Sequence, residues 1–495
     1  MSLFWLILFL LGALTYVAVR RSASGLTRTP IWLLWLVMMM PAFIWTAWVL
    51  VTGNVESMPM LLLIVPFVVC PFIYWMLVQM GRPVTAAQSS GEASPLMAQD
   101  GESTTSNAIR PITKTEEKVL QNCFPWSVFY LQNIEYRPQA LVCRGKLRTS
   151  PEVAYRTIRE NIEAQFGDRF LVVFQEGMNG RPFFALVSNP LITKRNDPQQ
   201  QTARPAVMLG LLGATLITTT LAGSMGVTGL VGAELPQDFP TFLTGLPYAL
   251  SLLSILGVHE MGHYCASQIH RVRATLPYFI PVPPAGIFPF GTFGAFIQMK
   301  SPVPNRKALF DIGIAGPLAG FVVTVPLLIW GLLQSDVVPL TETSSILNFT
   351  SLQPTESLML ALLSKVALGT QLTAESALNL HPVAIAGCLG LIITALNLMP
   401  VGQLDGGHIV HAMFGQRTGA LIGQVTRLLV LALSMVQHEY LLWAILLFFI
   451  PAVDEPALND VSELNNGRDA LGLLALVLLV MIVLPAPPAI IQLFY

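Results

Sequence analysis

Residues 246–263 read LPYALSLLSILGVHEMGH, an uncharged apolar run that ends in two histidines and a glutamate. On an α-helix, residues four apart share a face, so His259 and His263 can bind one cation together. Ionisable groups inside a stretch long enough to span a bilayer are costly and are usually retained for a function. The stretch therefore predicts a membrane helix with a metal site rather than a charged helix surface.

The composition places the chain among membrane proteins. Only 11% of its 495 residues are charged, whereas soluble domains contain about 25%. Residues 81–204 carry 27 of the 55 charged side chains, which predicts one soluble domain within a multi-span chain. The net charge of −1 gives no indication of nucleic-acid binding.

Ten apolar segments approach the length of about 20 residues that a spanning helix needs. We therefore expect an α-helical polytopic membrane protein of about 9–10 spans. The segments are Leu3–Val19, Ile31–Val51, Met58–Met80, Ala206–Val227, Phe242–Gln268, Ala308–Leu333, His381–Met399, Ala420–Gln437, Tyr440–Val453 and Leu471–Leu484.

The polarity along the chain predicts four regions. Residues 1–80 hold three N-terminal transmembrane helices, and the polar residues 81–111 form a disordered linker. Residues 112–195 form a small α+β domain, and residues 204–495 form the large transmembrane domain that contains the metal site.

Lysine and arginine in the short loops predict the orientation. Arg20, Arg21 and Arg28 follow the first span, and a basic loop, 271–307, follows the helix of His259. Because such loops stay in the cytoplasm, we expect the soluble domain and the metal site on the cytoplasmic side. A bacterial plasma membrane and a thylakoid membrane fit this orientation equally well.

The soluble region shows strand and helix signals. Strands are expected at Val128–Ile134, Ala140–Arg144, Phe170–Gln175 and Phe183–Val187, and a helix from Pro151 to about Phe166. Ser150 before Pro151 is typical of a helix start. The cysteines form no C-x-x-C pair. Buried thiols are favoured, and a Cys123–Cys143 disulfide stays open as an alternative.

The metal needs a third protein ligand, because a catalytic zinc site has three and keeps one position open. Asp405 lies 142 residues after His263, in NLMPVGQLDGGH at the cytoplasmic end of a span. This places its carboxylate at the depth of the two histidines, and the glycines after it allow close approach of the backbone. His408 and His411 are rival ligands, but we favour interfacial positions for both.

Together, H-E-x-x-H and N-x-x-P-x-x-x-L-D-G-G resemble the signature of the site-2 proteases, which are zinc-dependent intramembrane metalloproteases. GTFGA at residues 291–295, AGPLAG at 315–320 and PALNDVSELNNG at 456–467 resemble the cyanobacterial and plant-plastid branch. That branch is named for ethylene-dependent gravitropism deficiency and yellow-green leaves. The resemblance covers residues 113–485.

The resemblance implies a Zn²⁺ cofactor with His259, His263 and Asp405 as ligands. It also implies Glu260 as the general base, which accepts a proton from the attacking water. Asn397 matches the family asparagine and is expected to donate a hydrogen bond to the substrate or to the oxyanion. An interhelical hydrogen bond is the alternative for Asn397.

The segment Leu276–Met299 contains five prolines within Pro277–Pro289 and cannot be a spanning helix. Phe293–Met299 after them reads as an edge strand. Because irregular backbone at membrane depth must be covered by protein or water, we predict a re-entrant β segment that binds unwound substrate by strand addition. A cytoplasmic loop is the alternative.

The expected function is intramembrane zinc endopeptidase activity on transmembrane or juxtamembrane segments of membrane-protein substrates. The partners are therefore these substrates and the lipid bilayer, without nucleic acid, and the oligomeric state stays open. A membrane metal transporter or metal sensor that uses the same histidines and aspartate is the alternative. Replacement of Glu260 discriminates between them, since only proteolysis needs a general base there.

Overall fold

The computed structural model describes residues 29–52, 112–137, 140–177, 180–189, 205–226, 238–284, 289–341, 344–346, 348–373, 375–437 and 440–494, with residue 236 and isolated positions before residue 78. Contacts divide the chain into two units, Met1–Thr105 and Ser106–Tyr495. The first unit contains helix α1 (Ile31–Thr52). The predicted spans Leu3–Val19 and Met58–Met80 and the linker 81–111 lie largely outside the described residues.

The second unit begins with a small α+β fold whose elements agree closely with the sequence patterns. The one element without a counterpart in the sequence analysis is α2, which Thr113 and Glu116 begin with a reciprocal capping box. The elements are α2 (Lys114–Asn122), β1 (Phe129–Arg137), β2 (Ala140–Leu147), α3 (Pro151–Phe166), β3 (Phe170–Glu176) and β4 (Pro182–Ser188).

The four strands form one antiparallel sheet in the order β1-β2-β4-β3. Its buried face holds Phe174 stacked on Phe184 at 4.2 Å between ring centroids. Cys123 and Cys143 are free thiols in this core, and burial raises the pKa of Cys143 to about 12. Ser150 makes no side-chain cap on α3, so Pro151 alone marks that helix start.

The membrane domain is almost entirely helical. Its helices are α4 (Pro205–Ser224), α5 (Phe239–Leu243), α6 (Leu246–Ile269), α7 (Arg306–Leu332), α8 (Leu358–Leu368), α9 (Pro382–Leu398), α10 (Asp405–Phe414), α11 (Gln416–Val436), α12 (Leu441–Phe449), α13 (Asn466–Val483) and α14 (Pro488–Phe494). Two-stranded sheets pair β5 (Tyr278–Pro281) with β6 (Thr292–Phe296), and β7 (Asp336–Pro339) with β8 (Ser376–Asn379).

Six helices in the described part of the chain are long and apolar enough to cross a membrane, namely α1, α4, α6, α7, α11 and α13, with α5 continuing into α6. A polytopic helical membrane protein is therefore confirmed. Two segments expected to span are shorter, because α9 has 17 residues and α12 has nine. Pro451 follows α12 closely and cannot continue it. The count of about 9–10 spans stays a prediction.

Helix α7 lies at the centre of the membrane domain and packs against α6, α9 and α10. Its contact with α6 is close, since a Cβ on Gly262 would lie 2.5 Å from the Ala315 carbonyl oxygen. Asp311 of α7 accepts two hydrogen bonds of 2.7 Å from Arg468 and contacts His270 at 2.8 Å. These contacts of Asp311 join α7 to the end of α6 and the start of α13.

The proline-rich segment forms the β5–β6 hairpin, with Tyr278 opposite Phe296. Gly291 has a φ of +80°, and a Cβ there would lie 2.5 Å from the Thr218 carbonyl oxygen of α4. The Thr218 hydroxyl donates to the Gly291 carbonyl at 2.7 Å. Gly291 therefore lets the hairpin pack directly on α4.

Candidate metal centre

Two histidines of α6 form one side of the site. His259 and His263 are four residues apart on a helix face that packs against α7, and they are 3% and 7% exposed. Their Nε2 atoms are 3.2 Å apart. The Ile312 carbonyl lies 2.7 Å from Nδ1 of His263. A carbonyl only accepts, so Nδ1 carries the proton and the Nε2 lone pair faces the site.

Asp405 brings a third possible ligand atom to the two histidines. Its Oδ2 lies 3.4 Å from His259 Nε2 and 3.2 Å from His263 Nε2. A tetrahedral zinc ion with bonds of about 2.0–2.1 Å separates its ligand atoms by about 3.3 Å. Three donors of the N, N, O type at these separations fit zinc, which in catalytic sites keeps a fourth position for a water molecule.

The glycines after Asp405 were expected to let the backbone approach the metal, but they pack against the loop before α10 instead. Asp405 is the first residue of α10, and Gly406 and Gly407 lie in the same helix. A Cβ on either would lie 2.0–2.1 Å from the carbonyl oxygen of Leu398 or Gly402. They therefore allow α10 to pack against the preceding loop, which brings Asp405 to the histidines.

Glu260 is adjacent to His259 and is only 8% exposed. The backbone of Ile297, directly after β6, lies beside its carboxylate. The hairpin therefore reaches the site next to the residue expected to act as general base.

Asn397 reaches the site from the penultimate position of α9. Its side-chain nitrogen lies 3.1 Å from His259 Nε2. The amide therefore borders the space enclosed by the three ligand atoms. The contact joins α9 to α6, so the geometry accommodates both the substrate-directed and the interhelical interpretation.

Gly316 and Gly320 of α7 make room for the histidine rings. A Cβ on Gly316 would lie 2.1 Å from His263 Nε2, and one on Gly320 would lie 3.1 Å from His259 Nδ1. The A-G-P-L-A-G motif carries a small-residue packing pattern. In the structure, these two glycines leave space for the rings of His259 and His263.

The expectation of interfacial positions for His408 and His411 is wrong for His411, which is only 1% exposed. Neither histidine belongs to the cluster formed by His259, His263 and Asp405. Both contact Asp454 through Nδ1, at 2.9 Å and 2.7 Å. Asp454 and Asp460, the partners of His411, were missed because no spacing pattern links them to residues more than 40 positions away.

A buried His–His–Asp cluster with an adjacent glutamate, inside an apolar helical domain, is the arrangement expected of a membrane metallopeptidase. The sequence profile of Peptidase family M50 matches residues 247–438. This part of the chain therefore belongs to that family. The predicted relationship to the zinc-dependent site-2 proteases, with zinc as their metal, is confirmed.

Several plant proteins are similar over a longer stretch. The probable zinc metalloprotease EGY1, chloroplastic, of Arabidopsis thaliana is 35% identical over 50% of this chain and 44% of the relative. EGY1 of Oryza sativa subsp. japonica is 30% identical over 69% of this chain and 62% of the relative. EGY2 of Arabidopsis thaliana is 27% identical over 74% of this chain and 63% of the relative. The chain thus covers less than two thirds of the length of each of these three relatives, and no solved structure matches it significantly.

Proposed function

We propose that the chain is an intramembrane zinc endopeptidase that cleaves transmembrane or juxtamembrane segments of membrane proteins. One observation carries this proposal. The ligand atoms of His259, His263 and Asp405 form a nearly equilateral triangle of 3.2–3.4 Å, with Glu260 beside it and an amide at its edge.

The chain's own residues supply the proton transfers and the orientation of the substrate. Zinc, when bound, brings the pKa of a water molecule to about 7 and polarises a carbonyl group. Glu260 accepts a proton from the attacking water and returns it to the leaving amine nitrogen. Asn397 donates a hydrogen bond to the oxygen of the scissile carbonyl, because its amide borders the same space.

A transmembrane substrate must lose its helical hydrogen bonds before a peptide bond can be hydrolysed. Within the described residues, β6 forms a two-stranded sheet with β5, and the proposed route of substrate binding is strand addition to this sheet. Strand β6 packs against α6, and the Ile297 backbone after its end lies near Glu260. A substrate that adds to β6 passes the general base in extended form.

The active site is proposed to face the cytoplasm, or the corresponding compartment of a plastid. Arg271, Arg273, Lys300, Arg306 and Lys307 lie where α6 ends and α7 begins. Lys307 forms an ion pair with Glu152 of the soluble domain at 2.5 Å. The soluble domain therefore lies on the basic, predicted cytoplasmic side of the bilayer.

Replacement of Glu260 by glutamine tests the proposal. The substitution keeps the side-chain shape but removes the proton acceptor, so cleavage is expected to fall by a factor of about 10² or more while zinc stays bound. The matched control is Glu152→Gln, because this glutamate is exposed and distant from the ligand triangle in the sequence. Comparative membrane proteomics should reveal full-length substrates that accumulate only in the Glu260→Gln strain.

The transporter alternative makes the opposite prediction. In proteoliposomes that contain purified protein, a transporter would carry zinc across the bilayer and keep most of this flux in the Glu260→Gln variant. Zinc flux without any accumulated substrate would refute the protease proposal.

A further inference from the structure

A short segment after α12 connects the soluble domain to the metal-site helices. We define residues 454–460 as the junction. The Phe174 N–H of β3 donates to the Leu458 carbonyl at 2.7 Å, and the Asp460 N–H donates to the Phe174 carbonyl at 2.9 Å. Because β3 is an edge strand of its sheet, the junction extends that sheet.

The other side of the junction pairs with the residues that precede α7. The N–H groups of Leu458 and Asn459 donate to the carbonyls of Val303 and Pro304, at 2.9 Å and 3.0 Å. The Leu458 side chain packs on the apolar core of the soluble domain, whereas Val303 packs on the core of the membrane domain. The junction is therefore held by both domains at once.

Buried charges connect the junction to α10. His411 contacts Asp454 through Nδ1 at 2.7 Å and Asp460 through Nε2 at 2.9 Å. Since carboxylates accept, both ring nitrogens donate and the ring is an imidazolium. The guanidinium of Arg306, the first residue of α7, donates to the His411 carbonyl at 3.4 Å.

We propose that His411 is a positioning residue through which the junction and the docked soluble domain fix Asp405 at the metal site. The inference rests on the proposed zinc site. Asp405 and His411 belong to one short helix and are about 9 Å apart along its axis, so a shift at His411 is transmitted to the Asp405 carboxylate. Zinc bonds tolerate errors of only about 0.2 Å.

The first test measures zinc affinity in full-length variants. Groups that orient metal ligands typically change metal affinity by about 10–100-fold when they are removed. We expect zinc binding to weaken about tenfold in Asp460→Asn, which keeps a hydrogen-bond acceptor, and about 100-fold in His411→Leu. Lys307→Gln is the matched control, because it removes an exposed ion pair between the same two domains without contacting the junction.

The second test uses the reciprocity of coupling, and its key measurement needs no variant. If the junction stabilises the zinc site, bound zinc must stabilise the junction by the same factor. Zinc is therefore expected to slow hydrogen exchange about fivefold or more in peptides covering 170–176 and 455–462 of the wild type. This protection is expected to shrink in Asp460→Asn and to persist in Lys307→Gln.

Neither measurement uses a substrate, so each outcome separates the two proposals. A chain that binds zinc but cleaves nothing refutes the protease proposal while leaving the role of His411 fully testable. The role of His411 is refuted if zinc does not change the hydrogen exchange of residues 170–176 in the wild type and Asp460→Asn binds zinc as tightly as the wild type.

Discussion

Gly316→Ala is expected to damage the metal site although it removes no ligand. The added Cβ would lie 2.1 Å from Nε2 of His263 and 2.5 Å from both ring carbons that flank this nitrogen. Cβ atoms in proteins essentially never come closer than 3.0 Å to a heavy atom to which they are not bonded. The methyl group therefore displaces either the imidazole ring or the whole of α7 by about 1 Å.

The magnitude follows from the tolerance of zinc coordination. Zinc–ligand distances vary by only about 0.2 Å, so a displacement of about 1 Å removes His263 from the ligand set. A misplacement of about 1 Å typically costs about 10²-fold in rate. We expect the cleavage rate and the zinc affinity of Gly316→Ala each to fall by about 10²-fold.

Two further glycine variants calibrate the effect. In Gly320→Ala the new Cβ would lie 3.1 Å from Cβ and Nδ1 of His259, which needs a shift of a few tenths of an ångström and predicts a loss below about tenfold. In Gly213→Ala the new Cβ has no neighbour within 4 Å, so neither zinc affinity nor rate should change. The assay is zinc competition against a chromogenic chelator, followed by cleavage of a reconstituted substrate.

Zinc affinity is expected to decrease in the order Gly213→Ala, Gly320→Ala, Gly316→Ala. Equal affinities for the three variants would show that His263 does not depend on the space beside Gly316. Equal losses in all three would indicate a general effect of alanine on helix packing. Either result would contradict the assignment of the His263 Nε2 atom to the metal.

Three other predictions test the metal, the helix packing and the junction. Zinc at about 100 times its Kd should stabilise the wild type by about 2.7 kcal/mol in thermal unfolding and the Asp405→Asn variant far less, with equal stabilisation contradicting the ligand role of Asp405. Arg468→Met removes the paired hydrogen bonds to Asp311 and should cost about 2 kcal/mol, whereas the exposed Lys307→Gln should cost under about 1 kcal/mol. Burial raises the pKa of Asp454, but the hydrogen bonds from His408 and His411 outweigh this effect and hold the pKa below its usual range. The ionised Asp454 therefore stabilises the fold above about pH 4, and this stabilisation is lost as the pH falls through the lowered pKa. Amide hydrogen exchange in residues 455–462 should accelerate only at such acidic pH.

The sequence predicted those parts of the site that local periodicity or a long motif encodes. His259, Glu260 and His263 follow from helical spacing in an apolar run, and the side of the bilayer on which the loops lie indicated Asp405. Helix α2 was missed although its start is equally local, since Thr113 and Glu116 form a T-x-x-E capping box.

The remaining contacts depend on chain segments that meet only in the folded protein. His411 is buried because Asp454 and Asp460, 43 and 49 residues later, enclose its ring. Gly316 carries the small-residue pattern of helix packing, but the pattern does not reveal that a histidine ring occupies the vacant space. Such pairings are set by tertiary packing, so composition and periodicity leave them open.

Helix α7 holds the candidate metal site together although it carries none of the three proposed ligands. It packs against α6, α9 and α10, which carry the two histidines, Asn397 and Asp405 respectively. Its Ile312 carbonyl fixes the His263 tautomer, and its glycines set how closely the rings approach. Its first residue, Arg306, contacts the carbonyl of His411 in α10. Ligands carried by separate helices keep distances of 3.2–3.4 Å only if a common neighbour holds those helices, and α7 is that neighbour.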